Sequence, residues 1–273
     1  MLGHRVVGVA AVLTLATTVT ACGSASSGPL ADTADKLASV KSGVMDLKLT
    51  AAAGEQPTGE QAGFRLQGPF SLAANGHLPV SDITYTQYEG RATQTVKVVS
   101  TGDAAFVVRN GRTTALSSAE ADQLKVSGGS GVDLHLDKWF DKPTVSDAGR
   151  LDGVAVQRIT GRLNVPAALE DLFHLSHNFG AADVKAEKIQ GDLAKKLQAA
   201  TESASAEVVT GKTDHYLRHL VVDVTLGAQA PPQIRQALGR LSAVRFHFEL
   251  GLSQPNKPVR VSAPEGVTQT KGQ

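Results

Sequence analysis

Chemistry in this 273-residue chain has few places to reside. His174 and His177 lie three apart, and His215 and His219 four apart. On one helix the first pair could meet, but no third ligand stands nearby. On a strand the second pair would share a face about 13 Å apart, too far for one ion. Both pairs therefore read as structural or surface residues. Asp133, Asp137, Asp141, Asp147 and Asp152 form a loose acidic series around Trp139. Paired carboxylates can hydrolyse glycosides, but this spacing matches no catalytic pattern, and acids in turn-rich segments are ordinarily solvated. The stretch Ser127-Gly-Gly-Ser-Gly131 lacks the spacing and the strand-to-helix elbow of a serine nucleophile. Ser39-Val40-Lys41 is not a Ser-x-x-Lys pair, and Gly211-Lys212 reads as a turn rather than a phosphate loop. No catalytic residue, metal site or cofactor is expected. What remains is a thiol, Cys22, the single cysteine of the chain.

The residues around that thiol give it a role. Met1–Arg5 carries one firm positive charge, and an apolar run of about fourteen residues follows from Val6 to Val19. That is shorter than the roughly 20 residues needed to span a bilayer, and it suits a secretory signal. Val19-Thr20-Ala21-Cys22 then resembles the lipobox of bacterial lipoproteins, with an aliphatic residue three before Cys22 and small residues just before it. The resemblance implies a diacylglycerol on the Cys22 thiol, cleavage before Cys22 and acylation of its new amino group. Two or three acyl chains, at about 0.8 kcal/mol per buried methylene, make a lasting anchor. Residues 1–21 are thus expected to be a lipoprotein signal peptide, and 22–31 a flexible Ser/Gly-rich tether. The protein would be exported and held on the outer face of the cell membrane.

Composition narrows the partners. Lys and Arg total 27 against 26 Asp and Glu. Removing residues 1–21, which hold only Arg5 among charged groups, leaves 26 against 26. A neutral chain does not grip nucleic acid by bulk charge, and no nucleic-acid partner is expected. Aromatic residues are 4% of the chain, leaving few platforms for stacking bases. With 41% hydrophobic and 19% charged residues, the chain is globular.

The elements that must carry any site are mostly strands. Asp32-Thr33-Ala34-Asp35 caps a short helix with Leu37 and Val40 on its apolar side. Met45, Leu47 and Leu49 then alternate with polar residues, the mark of a half-buried strand. Further strands are expected around Phe64–Leu72, Ile83–Tyr85, Val96–Val98, Phe106–Val108 and Val154–Ile159, with turns at Asn110-Gly111 and Asp152-Gly153. Val132–Phe140 is ambiguous in type and closed by Pro143. Helices are expected from Asn164-Val165-Pro166, over 183–203, and from Pro231-Pro232. The clearest strands carry Leu220, Val222, Val224 and Leu226 on one, and Val244, Phe246, Phe248, Leu250 and Leu252 on the other. Roughly ten strands with helices on one face make an α+β fold around a large antiparallel sheet, a single domain over 32–267 followed by a polar tail, 268–273. If such a sheet curves, its concave apolar face is wider than a few short helices can fill. Phe70, Phe106, Leu169, Phe173, Phe246 and Phe248 are the candidate residues lining a cavity there.

Several stretches resemble the actinobacterial LppX/LprG lipoprotein family: Leu37–Gly43 entering the first strand, Leu151–Gly161 followed by Asn164–Leu172, His215–Thr225, and Asn256–Pro264. The likeness rests on hydrophobic and turn patterns over most of residues 32–267. It implies the half-barrel of the LolA/LolB carriers: a curved antiparallel sheet with helices on its concave face. It also implies non-enzymatic binding of a lipid or lipidated glycan for carriage through the envelope, an envelope transporter being a further candidate partner. The other reading is an envelope interaction protein with a closed core and no ligand.

Overall fold

A computed structural model describes residues 28–53, 61–73, 77–122, 132, 134–178, 188–227 and 244–268. Cys22, Asp133, the Ser127–Gly131 stretch and the expected helix from Pro231 lie outside these residues.

The chain opens with α1 (Pro29–Ala38), which begins with Pro29 three residues earlier than the Asp32 cap predicted. The pyrrolidine ring presets φ for the first turn, where no backbone N–H bond is forfeited. Leu30, assigned by sequence to the tether, is buried. A six-stranded meander follows: β1 (Ser42–Ala53), β2 (Gln61–Ser71), β3 (Val80–Gly90), β4 (Ala92–Thr101), β5 (Ala105–Arg109) and β6 (Arg112–Ala115). After the short helices α2 (Ser118–Asp122) and α3 (Leu136–Trp139) come β7 (Phe140–Leu151) and β8 (Val154–Leu163). Helices α4 (Val165–Asn178) and α5 (Gly191–Ala200) precede β9 (Thr201–Gly211), β10 (Leu217–Leu226), β11 (Val244–Ser253) and the two-residue β12 (Val267–Thr268).

Two expected boundaries are corrected. Pro143 does not close a segment but lies within β7, at a register irregularity between Asp141 and Thr144. Proline is tolerated there because β7 is the outermost strand, where an N–H can go unpaired. The helix expected over 183–203 ends at Ala200, where Thr201 turns extended and starts β9. Thr201 to Glu207 are small or polar residues with no large apolar side chain to mark a strand, so only pairing with β10 reveals it. Val132–Phe140, ambiguous by sequence, contains the one-turn helix α3.

The twelve strands of the described residues form one sheet, ordered β12-β6-β5-β4-β3-β2-β1-β11-β10-β9-β8-β7. Every pairing is antiparallel except β12 on β6. The sheet is curved and unclosed, and the helices pack on one face, so the class is α+β. Both expected turns form as two-residue hairpins. Asn110 and Gly111 have φ of 51° and 73°, and Asp152 and Gly153 48° and 80°. Glycine takes the second place of the β5–β6 turn without the Cβ penalty that left-handed φ imposes on other residues.

Registers define two faces. Leu47 faces Leu250 and Leu66, Leu49 faces Phe248 and Phe64, and Leu66 faces Tyr85. These inner-face residues form the main core with Leu37 of α1, Trp139 of α3, Leu172 of α4 and Leu197 of α5. The outer face is polar in the middle of the sheet. After β11 the chain crosses that face as a strap. Asn256 N donates to Ser42 O (2.7 Å), Ser42 Oγ donates to Lys257 O (2.7 Å), and Thr113 Oγ1 donates to Glu265 O (3.3 Å). The strap thus runs from the start of β1 to β6, with Val259, Val261 and Pro264 among its less exposed residues.

Gly68 marks the closest strand approach at β2–β3. Its φ is 143°, and a Cβ built there would stand 2.0 Å from Asp82 O, a backbone atom that cannot swing aside. Gly68→Ala is expected to cost about 2 kcal/mol or more through backbone strain and displacement of β3. A urea midpoint equal to wild type would refute this reading of the β2–β3 contact.

Candidate functional site

The inner face is built by strand parity. β11 buries Val244, Phe246, Phe248, Leu250 and Leu252, and β10 buries Leu220, Val222, Val224 and Leu226, as their alternation predicts. Across these strands lies α4, whose Val165, Ala168, Leu169, Leu172 and Leu175 recur at helical spacing and are all buried. Asn164 starts this helix: its Oδ1 accepts from Ala167 N at 3.4 Å. Phe173, half-buried on α4, meets Phe246 edge to face at 6.0 Å between centroids. That geometry suits the aromatic quadrupole. Leu169, Phe173, Phe246 and Phe248 therefore come together in one cluster, and half-buried Phe70 packs against it.

Phe106 does not join them. It pairs with Val99, which pairs with Asp82, and this parity puts Phe106 on the outer face. Its neighbour Val107 faces inward instead, opposite Val98. The run Ala105-Phe106-Val107-Val108 is apolar throughout, so sequence offers no alternation from which to choose a face. Phe106 is buried nonetheless, on the face that the C-terminal strap crosses.

Cover over the inner face is uneven. Among the described residues, α1 packs on β10 and α3 on β7, while α4 meets α3 and α5. Towards β5 the face stays apolar but is only half-buried: Ile83, Tyr85, Val96, Val98 and Val107 form a strip beside the packed core. Tyr85 stacks on fully buried Phe64 at 6.3 Å between centroids, and burial pushes its hydroxyl pKa above the ordinary value. At the other side, the first turn of α1 and the edge strands enclose an open groove of roughly 150 Å³, lined by Gly28, Pro29, Leu30, Pro143, Val145 and Ile159 among others. Its lining is mostly apolar, and Val145 remains 47% exposed.

Asp171 anchors the helical layer, a role its place in an amphipathic helix does not announce. It is 8% exposed. Its Oδ2 accepts from Trp139 Nε1 (2.7 Å) and from His135 N (2.7 Å), and its Oδ1 lies 3.1 Å from His135 Nδ1. One carboxylate thereby ties α3 and the segment before it to α4. Glu170, one residue earlier, accepts from Ile189 N at 3.2 Å and holds the approach to α5.

The residues considered for catalysis or metal binding are scattered. His174 is exposed on α4, and the side chain of His177 lies outside the described residues. His215 sits in the turn before β10, not on the strand, with φ of 55°. His219 is on the outer face, its Nε2 2.9 Å from Glu249 Oε1. Asp137 is on α3, Asp141 and Asp147 are exposed along β7, and Asp152 is in a hairpin turn. Asp147 pairs with Lys212 at 2.5 Å. Among the described residues, no three or more His, Cys, Asp or Glu side chains gather as for a metal ion. Nor is any described helix long and apolar enough to cross a membrane.

No family model and no curated protein matches this chain. Solved structures similar to it include LprF from Mycobacterium bovis, at 13% identity, a TM-score of 0.43, and coverage of 87% of this chain and 96% of the other. They also include the Mycobacterium tuberculosis lipoprotein LppX, at 15% identity, a TM-score of 0.35, and coverage of 86% and 96%. A LolA superfamily protein from Nitrosomonas europaea is similar at 9% identity, with a TM-score of 0.24 and coverage of 84% and 93%.

If Asp171 is the tie between α3 and α4, Asp171→Ala leaves the buried Trp139 Nε1–H and the partly buried His135 N–H without an acceptor. The expected loss is about 3 kcal/mol. Trp139 is the sole tryptophan, so its emission should shift red in the folded variant as the indole loosens. Unchanged emission together with unchanged stability would remove Asp171 from this role.

Proposed function

We propose that this protein is an exported lipoprotein, anchored through acyl chains on Cys22, that binds the hydrophobic part of a lipid or lipidated glycan on its inner sheet face and carries it through the envelope. The observation that carries the reading is the half-buried apolar strip of Ile83, Tyr85, Val96, Val98 and Val107, continuous with a packed core. Apolar surface of this kind gains about 25 cal/mol per Å² when an acyl chain displaces water from it. Binding of this sort needs no cofactor and no proton transfer. It needs an apolar face whose affinity lies near that of the donor and acceptor membranes, so that the ligand can both enter and leave. The sequence around Cys22 supports the anchor, and five residues stand between Cys22 and Gly28, the first of the described residues. At no more than about 3.6 Å per residue, that tether keeps the domain within roughly 20 Å of the bilayer that would supply the ligand.

Residues 23–273 expressed in a lipid-containing host are expected to carry acyl lipid at near-stoichiometric amounts in native mass spectrometry, and organic extraction should recover it. Val107→Glu places a charge on the inner strip and should strip the lipid away. Val108→Glu, one residue on but on the outer face, should retain it. A lipid-free mass that persists after incubation with envelope lipids would sink the carrier reading and favour an interaction protein with a closed core. In the full chain, Cys22→Ala should move the protein from the detergent phase to the aqueous phase on Triton X-114 partitioning; retention in the detergent phase would remove Cys22 as the anchor.

A further inference from the structure

The outer face carries a polar ladder that lipid binding on the inner face does not use. Across β4, β3, β2, β1, β11 and β10, four outward carboxylates are each occupied. Asp82 pairs with Lys97 (2.9 Å), Asp46 with Arg65, Glu249 with His219 (2.9 Å), and Asp223 with both Arg245 (2.9 Å) and His247 (3.1 Å). The partners hold the carboxyl groups of Asp223 and Glu249 below their ordinary pKa values, chiefly through the hydrogen bonds from His247 and His219.

Lys48 is left over. It stands across from Glu249 in the strand register, but that carboxylate is bonded to His219. Among the described residues the ammonium has only the Tyr88 ring, 6.0 Å from its centroid. Beside Lys48 the face sinks into an open pocket of roughly 210 Å³, lined by Lys48, Thr50, Ala52, Gln61, Arg245 and His247. Arg245 and His247 both pair with Asp223, His247 Nε2 also lies 3.8 Å from Glu249 Oε2, and Lys48 has no ion pair among the described residues. A cavity with more donors than acceptors around it is complementary to an oxyanion.

We propose that this pocket binds a phosphate-type anion, with Lys48 as the principal charge and Arg245, His247 and Thr50 as further donors. The same chemistry serves free phosphate and the phosphate of an anionic lipid headgroup. The site lies on the face opposite the lipid-binding strip and stands independently of that function.

The test uses full-length protein carrying Cys22→Ala, titrated with inorganic phosphate at physiological ionic strength while the His247 ring resonances are followed. Saturable shifts are expected. Lys48→Ala should weaken the affinity about tenfold, as for loss of one charge-assisted hydrogen bond, and Lys48→Arg should restore it. Lys97→Ala, which removes a paired charge elsewhere on the same face, should leave it unchanged. Sedimentation with phosphatidylcholine vesicles, with and without phosphatidylglycerol, distinguishes the sources: Lys48-dependent binding to the anionic vesicles identifies a headgroup, and phosphate binding without it identifies a free anion. Absence of saturation, or equal weakening by Lys97→Ala, would overturn the site and reduce the effect to bulk charge.

Discussion

The pairing of β1 with β11 is the constraint on which the rest depends. The chain makes two meanders, β1 to β6 and β7 to β11, and among the described residues only this pairing joins them into one sheet. Its register sets Met45 against Leu252, Leu47 against Leu250, Leu49 against Phe248 and Ala51 against Phe246. Ten residue pairs hold that alignment without a break, from Val44–Ser253 to Ala53–Val244. A slip by one residue would turn Asp46 and Lys48 into the core and expose Leu47, because side chains alternate strictly across a strand. Burial of the inner face and the register of this seam are therefore the same fact, separated by some two hundred residues of sequence.

From that seam outward the molecule is asymmetric. On one side the helices fill the inner face: Trp139, Leu169, Leu172 and Leu197 are almost wholly buried against β8 to β11. Buried hydrogen bonds to Asp171 orient this layer, so its position is set by direction as well as by apolar contact. On the other side, β3 to β5 extend the apolar surface without equal cover among the described residues. Burial of each large side chain on the packed side is worth about 1.5–3 kcal/mol. That stability lets the neighbouring strip remain incompletely buried, which leaves apolar surface on the inner face beside the packed core.

The outer face works differently. Its charges are arranged in cross-strand pairs that satisfy one another at the surface and contribute modestly to stability. The strap from Asn256 to Gly266 crosses this face, tied at Ser42 and Thr113. Phe106 and Val99 are buried on that face near β6, so the outer surface has a small apolar patch of its own. A polar middle and a strapped end leave the inner face as the broad apolar surface of the fold.

Much of this was legible in the residues. Clean alternation in β1, β10 and β11, the stripe of α4, and the turns at Asn110-Gly111 and Asp152-Gly153 each carry a local physical preference that reads without the fold. The α+β class followed from their number and order, and four of the proposed lining residues, Leu169, Phe173, Phe246 and Phe248, do meet. Where local chemistry was silent, the reading failed or stopped. Phe106 sits in an unbroken apolar run whose face is chosen by its partners in β4 and β6. The start of β9 is chosen by β10, and the place of Pro143 by the edge of the sheet. Asp171 looks like any acid on a helix until Trp139 is brought to it from 32 residues away. The sequence by itself determined the strands, their apolar faces and the environment of Cys22, because those depend on neighbours within a few residues. Tertiary structure alone decided which strands join, which apolar residues the helices cover and which charge is left without an ion pair among the described residues, because each depends on groups that meet only when the two meanders close into one sheet.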